Sequence, residues 1–288
     1  MITNFAIGGL TIDCADAARS RDFYAGLMGW EKTAADYPAL ITDNGLIITF
    51  AKTDIPYEPP IWPEEPGKQQ KQMHLDFVVD DLPSAVQKAV RLGAAKPTEQ
   101  YGDYYVTMLD TEGRPFCLCR RSQNKSEFDV YFENKGWGTI PAISINIDCK
   151  KTEILRAFYA GLTDWDQGFH HTALIADNKM VVHFMGCDGD FDYIPPVWPE
   201  ALGKQQKQMR FTFRVGDVQS AAAEAIRLGA VLVSGKHDGN HPVTLLDTEG
   251  HPFNLSSQPS PVGTFGSCPG GRPATLNSPL STLNSPRG

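Results

Sequence analysis

The chain is short of the features that place a protein quickly. Basic residues are the minority among its 288 residues: 26 Lys and Arg stand against 34 Asp and Glu, a net charge of -8. Phosphate binding needs basic surface, so this balance argues against nucleic acid as the main partner. No apolar run reaches the ~18 residues that a membrane span requires. The opening MITNFAIGGLTIDCADAARS lacks the basic start and apolar core of a signal peptide. The expectations are therefore no membrane partner and a cytoplasmic location. Cysteine is sparse. Cys14, Cys117, Cys119, Cys149, Cys187 and Cys268 form no CxxC pair and no dense framework, which reads as small thiols in a reducing compartment.

What is present is repetition. IDCADAARSRDFYAGLMGW, from Ile12 to Trp30, matches IDCKKTEILRAFYAGLTDW, from Ile147 to Trp165. PPIWPEEPGKQQKQM matches PPVWPEALGKQQKQM, and VTMLDTEGRPFCL matches VTLLDTEGHPFNL. The offset stays at about 135 residues, so the second half is a copy of the first. The expected division is copy one over 1–121, a polar linker with some aromatics over 122–138, copy two over 139–257, and a tail over 258–288. The tail is dense in Pro, Gly, Ser and Thr, repeats TLNSP, and reads as disordered.

Within a copy the same unit occurs twice. Ile7 to Cys14 alternates and reads as a strand. Asp16 can cap a helix carrying Phe23 and Leu27 on one face, and strands follow around Ala39 to Ile41 and Leu46 to Phe50. Then Met73 to Val79 opens a second unit, Asp81 and Pro83 start its helix, and Gly93 ends it. Tyr104 to Leu109 and Phe116 to Cys119 are its closing strands. The fold class is α+β, with two β-α-β-β-β modules per copy.

Strand alternation assigns faces. Met73, Leu75, Phe77 and Val79 form an apolar face that packs under helices, while Gln72, His74 and Asp76 face the other way. In copy two, Met209, Phe211 and Phe213 oppose Gln208, Arg210 and Thr212. Ser144, Asn146 and Asp148 share the polar face, and so do Cys117 and Cys119.

The P-x-WP loop at Pro60 to Pro63, the strand QMHLDF at Gln72 to Phe77, VDDL at Val79 to Leu82 and the closing GRPFCL at Gly113 to Leu118 resemble the vicinal oxygen chelate superfamily. That group includes glyoxalase I, bleomycin-resistance proteins and extradiol dioxygenases. The resemblance covers about Met1 to Arg120 and again Thr139 to Ser256. It implies that two modules pair into a curved mixed sheet around a cavity, with helices outside. It also assigns metal-ligand positions: Gly9, Thr49, His74 and Cys117 in copy one, and Ser144, His183, Arg210 and Asn254 in copy two. Glu is absent at both closing positions, Gly offers no ligand, and Arg stays protonated. No metal site of the usual kind is expected, and no cofactor. The alternative is a divalent metal such as zinc, held where modules pair across the copies by His74, His183 and Cys117 beside Ser144.

The loops ending in Trp62-Pro63 and Trp198-Pro199 are stiff and precede cavity strands. Their tryptophans either stack on a flat ligand or plug a gap between modules. Lys68, Lys71 and their copies read as solvated surface lysines. The candidate ligand-binding residues are Trp62, Gln72, His74, Cys117, Trp198, Gln208, Arg210 and Asn254. The expected function is binding of a small molecule, an aromatic one suiting the Trp loops. The alternative is a metal-dependent lyase, isomerase or dioxygenase. A monomer that mimics a dimer, or a homodimer, is expected. His74 and Arg210 hold equivalent positions, so the copies are expected to differ in their sites.

Overall fold

The structure is a computed structural model and describes residues 5–33, 37–187, 192–234 and 242–257. The tail 258–288, expected to be disordered, lies outside the described residues. Copy one runs β1 (Ala6–Cys14), α1 (Ala17–Met28), β2 (Glu31–Lys32), β3 (Ala39–Ile41) and β4 (Ile47–Lys52), then β5 (Met73–Val79), α2 (Leu82–Arg91), β6 (Tyr105–Leu109) and β7 (Pro115–Arg120). The linker contains α3 (Glu127–Asn134). Copy two runs β8 (Ile143–Cys149), α4 (Thr152–Leu162), β9 (Ala173–Ile175) and β10 (Val181–Gly186), then β11 (Met209–Arg214), α5 (Val218–Arg227), β12 (Val231–Ser234), β13 (Val243–Leu246) and β14 (Pro252–Ser256). No helix among the described residues is long and apolar enough to cross a membrane.

Helices begin where capping chemistry predicts. The carboxylates of Asp16, Asp81 and Asp217 accept hydrogen bonds from the backbone N–H of Arg19, Ser84 and Ser220, satisfying donors left unpaired at a helix start. Gly29 ends α1 at φ 77°, in the left-handed region that favours glycine.

The strands form two mixed sheets. One has eight strands in the order β12-β13-β14-β11-β1-β4-β3-β2, and the other six, β6-β7-β5-β8-β10-β9. Each sheet takes one module from each copy. Antiparallel β1–β11 joins the halves in the first and antiparallel β5–β8 in the second. The sequence left open whether modules pair within or across copies; they pair across. The predicted apolar faces are the packed ones. Leu10, Ile12, Leu75, Phe77, Phe211 and Phe213 are at most 1% exposed, and this burial under the helices is the main stabilising term.

The repeated GKQQKQM is the crossing point of the two copies. The Gln69 side chain donates to the Lys204 carbonyl at 2.8 Å, and Gln206 N–H donates to Gln69 Oε1 at 2.8 Å. Gln205 Oε1 accepts from Gln70 N–H, while Gln205 and Gln208 both donate to the Gln70 carbonyl. Asp148 N–H donates to the Gln72 carbonyl, and Asp13 N–H to the Gln208 carbonyl. Two extended segments thus satisfy each other's buried backbone through glutamine amides, which carry both donors and an acceptor.

A second repeated network ties each closing turn to a helix. Tyr24 donates to Asp110 at 2.8 Å, and its copy Tyr159 donates to Asp247 at 2.9 Å. In copy one, Arg114 donates to Asp110, to Tyr57 Oη and to the Asp13 carbonyl. In copy two His251 holds that place. Its Nδ1 lies 3.1 Å from Asp247, and its Nε2 lies 2.8 Å from both the Asp148 carbonyl and Tyr193 Oη.

The linker departs from the expected polar connector. Ser126 and Asp129 form a capping box that starts α3. Phe132, fully buried, packs with Ala173, Ile175 and Val181 on β9 and β10, and Phe128 and Tyr131 pack against this cluster. Burying such rings contributes roughly 1.5–3 kcal/mol each. The linker is therefore a packed element lying on the open face of the six-stranded sheet.

Candidate ligand-binding site

The open face of the six-stranded sheet carries the site. Alternation along β5 turns His74 and Asp76 outward while Met73, Leu75 and Phe77 go to the core. Across the sheet, Asp76 registers with Cys117 on β7, and His74 with Asn146 on β8. The Trp62 loop closes one side, and Tyr101 and Tyr105 close another. Together these residues line a cavity of about 410 Å³. Cys119 and Cys187 reach it as well.

The residues lining the cavity carry several polar atoms without a hydrogen bond. Trp62 Nε1, His74 Nδ1, Asp76 Oδ1 and Asn146 Nδ2 are all buried and form no hydrogen bond of good geometry within the protein, although Asp76 Oδ1 lies 3.6 Å from His74 Nε2. Each such group costs roughly 1–3 kcal/mol if nothing satisfies it. Burial also sets the ionisation of the site. It pushes His74 down to about 3, helped by Lys71 and His183, so the imidazole is neutral near pH 7. Burial pushes Asp76 up to about 6 against stabilising contacts from Asn146 and Cys117. Burial first, then the Asp76 charge, pushes the Cys117 thiol up to about 12. A thiol so placed is a poor nucleophile.

Lys71, expected in solvent, is mostly buried. Its ammonium lies 2.9 Å from Asp148, 3.6 Å from Glu64 and 5.4 Å from the Trp62 ring centroid. Burial opposes its charge, but Asp148 and Glu64 outweigh this and its pKa is raised. Beside the Trp62 ring it pairs with Asp148 and Glu64 rather than with Asp76.

The eight-stranded sheet repeats the frame with a different outcome. Lys207 lies 2.9 Å from Glu200, 3.5 Å from Asp13 and 5.2 Å from the Trp198 ring. Where copy one has His74, Arg210 reaches both oxygens of Asp13 at 2.6 Å. Thr244 donates to Asn254 Oδ1 at 2.9 Å. On this face Lys207, Arg210, Thr244 and Asn254 all have protein partners.

The predicted residues therefore divide. Trp62, His74 and Cys117 share one cavity; Trp198, Arg210 and Asn254 lie at the other sheet. Gln72 and Gln208 line neither. Gln72 accepts from Tyr193 and donates to the Ile194 carbonyl, and Gln208 belongs to the crossing of the copies. Asp76, Lys71 and Asn146 complete the cavity. Asp76 and Asn146 were legible as open-face residues, and their orphaned polar atoms are what mark them as part of the site.

Of the positions assigned to metal ligands at this sheet, Ser144, His183, His74 and Cys117, only His74 and Cys117 meet. His74 and His183 each register with Asn146 from opposite sides, so they stand two strand spacings apart, about 9–10 Å. His183 packs edge-on against Phe128 of the linker helix and lines a second cavity, of about 710 Å³, with Ser144. The alternative set of His74, His183 and Cys117 does not converge, because Asn146 on β8 stands between His74 and His183 in the sheet. The group that does converge is His74, Asp76 and Cys117.

Comparison with known proteins gives a consistent picture. A family model described as "Glyoxalase-like domain" matches residues 9–119 and again 144–256. A search of curated proteins finds no match. Among solved structures, a variant of glyoxalase I from Zea mays superposes with TM-score 0.56 at 13% identity, over 88% of this chain and 92% of that one. Unmutated glyoxalase I from Zea mays gives TM-score 0.54 at 13% identity, with the same coverage. At that identity the likeness establishes the fold.

Proposed function

Because the chain belongs to the glyoxalase-like domain family within the vicinal oxygen chelate superfamily, and fold alone does not set function, we propose that it binds a small molecule at the six-stranded sheet. The single observation that carries this reading is that four residues lining one cavity, Trp62, His74, Asp76 and Asn146, each carry a buried polar atom with no hydrogen bond within the protein. Trp62 Nε1 and Asn146 Nδ2 supply donors, Asp76 Oδ1 supplies an acceptor, and Tyr101 and Tyr105 add aromatic wall. A flat ligand with polar edges satisfies both kinds of surface. The eight-stranded sheet, where Arg210 meets Asp13, serves as frame. The chain acts as a cytoplasmic monomer built like a dimer.

A thermal-shift screen of aromatic metabolites and antibiotics tests this. A compound at 100 times its Kd stabilises the folded chain by about 2.7 kcal/mol. Trp62→Ala is expected to weaken the hit at least tenfold, and Trp198→Ala to leave its affinity unchanged. Equal loss in both variants, or no stabilising compound at all, contradicts the assignment.

A further inference from the structure

We infer that the second cavity, beside the linker helix, is a separate binding site for a small aromatic carboxylate, held through Arg120 and Arg121. This cavity has a volume of about 710 Å³, the size of a ligand pocket, and shares no lining residue with the cavity of Trp62. The end of β7 and the start of the linker supply Arg120 and Arg121, α3 supplies Phe128 and Asp129, and β8 and β10 supply Ser144 and His183. The site therefore depends on the segment that joins the two copies.

Charge decides the ligand class. Two guanidiniums line the cavity against one carboxylate, Asp129. Asp129 is already engaged, accepting from the Ser126 N–H at 2.9 Å and from the Ser126 hydroxyl at 2.6 Å. Arg121 donates through Nε to Asp80 at 2.7 Å, and its two Nη groups have no hydrogen-bond partner among the described residues. The Arg120 side chain has neither an ion pair nor a hydrogen bond among them. A guanidinium presents a planar fork of N–H donors that matches a carboxylate. The Trp62 cavity lacks this character, because its one lining cation, Lys71, is paired with Asp148 and Glu64. The rest of the second cavity suits an aromatic body. Phe128 stands edge-on to the His183 ring, with centroids 6.0 Å apart, and Val78 and Val181 add aliphatic surface. Burial, with His170 adding to it, pushes His183 down to about 4, so its imidazole is neutral near pH 7. Neither that ring nor the Ser144 hydroxyl makes a hydrogen bond among the described residues, which leaves both for a neutral polar group on the ligand. The inference does not rest on the reading of the first cavity.

Full-length protein is added to para-fluorobenzoate, and fluorine NMR reads binding by line broadening. The expected result is broadening that unlabelled benzoate reverses. The uncharged analogue para-fluorobenzamide, of the same shape, is expected to bind at least tenfold more weakly. Arg120→Gln combined with Arg121→Gln should weaken the acid at least tenfold. Trp62→Ala should leave its affinity unchanged, and so should Lys68→Gln combined with Lys204→Gln, which removes the same charge elsewhere on the surface. The acid and amide comparison needs no variant, and thermal melting of each variant verifies folding. The inference is overturned by absence of broadening at millimolar probe, by equal binding of acid and amide, or by affinity that survives loss of both arginines. Loss in Trp62→Ala, which puts the probe in the first cavity, or in the lysine variant, which makes the attraction diffuse, overturns it equally.

Discussion

The two copies differ most sharply at single residues, and the sharpest stability consequence lies at His251. Tyr193 donates its proton to Gln72 and so accepts from His251 Nε2, while Nδ1 faces the Asp247 carboxylate. Both ring nitrogens face acceptors, so the imidazole is a buried imidazolium standing where copy one has Arg114. Burial opposes the charge, yet Asp247 outweighs it and the His251 pKa is raised. The raised folded-state value means that this stability is complete below about 6.5, the unfolded value, and is lost as pH rises through the folded one. The melting temperature of the wild type is expected to fall as pH rises above about 6.5, the unfolded value. His251→Arg should flatten that slope, and His251→Ala should cost roughly 3–5 kcal/mol at acid pH, the cost of breaking a buried pair. A wild-type curve no steeper than that of His251→Arg would remove the imidazolium. Residue-level reading of the sequence found His74 and Arg210, because alternation along a strand reports which way a side chain points. It missed the buried roles of Lys71 and Lys207. A lysine is solvated by default, and only the carboxylates brought from other strands reverse that.

At the scale of elements, the caps and strand faces were legible because they depend on neighbours a few residues away. The linker helix was not. Its sequence, SEFDVYFEN, is too short to hold a helix by propensity, and its stability comes from Phe132 docking on Ala173, Ile175 and Val181. Phe132→Ala is expected to destabilise the chain by about 3–5 kcal/mol, measured by chemical denaturation. The same substitution should loosen α3 and increase solvent exchange of the backbone amides around β9 and β10. Amide exchange unchanged there would show that α3 is not what covers this face. The glutamines of the repeated phrase show the same limit. Their alternation is visible, but their partners lie across the copies at ~135 residues' distance and have no local signature.

For the whole molecule, the decisive fact is that neither copy completes a sheet alone. Separated, copy one would expose the β1 and β5 edges and copy two the β8 and β11 edges, together with unsatisfied glutamine-strap backbone. Fragments 1–121 and 122–257 produced together are expected to copurify in a 1:1 complex and to melt as one unit. Two fragments that stay apart and fold separately would contradict the shared-sheet architecture. Internal repetition was plain in the sequence, whereas the pairing of modules was not, since either pairing buries the same apolar faces. One connection joins the copies, and that has a historical consequence. In a two-fold symmetric dimer, every mutation appears at both sites simultaneously. A fused chain escapes this rule: its α3 lies over one sheet, and an arginine can settle at position 210 while a histidine stays at 74. One chain thus carries two independently variable faces on one frame, and Arg210 is paired with Asp13 on one while His74 Nδ1 is left without a hydrogen bond on the other.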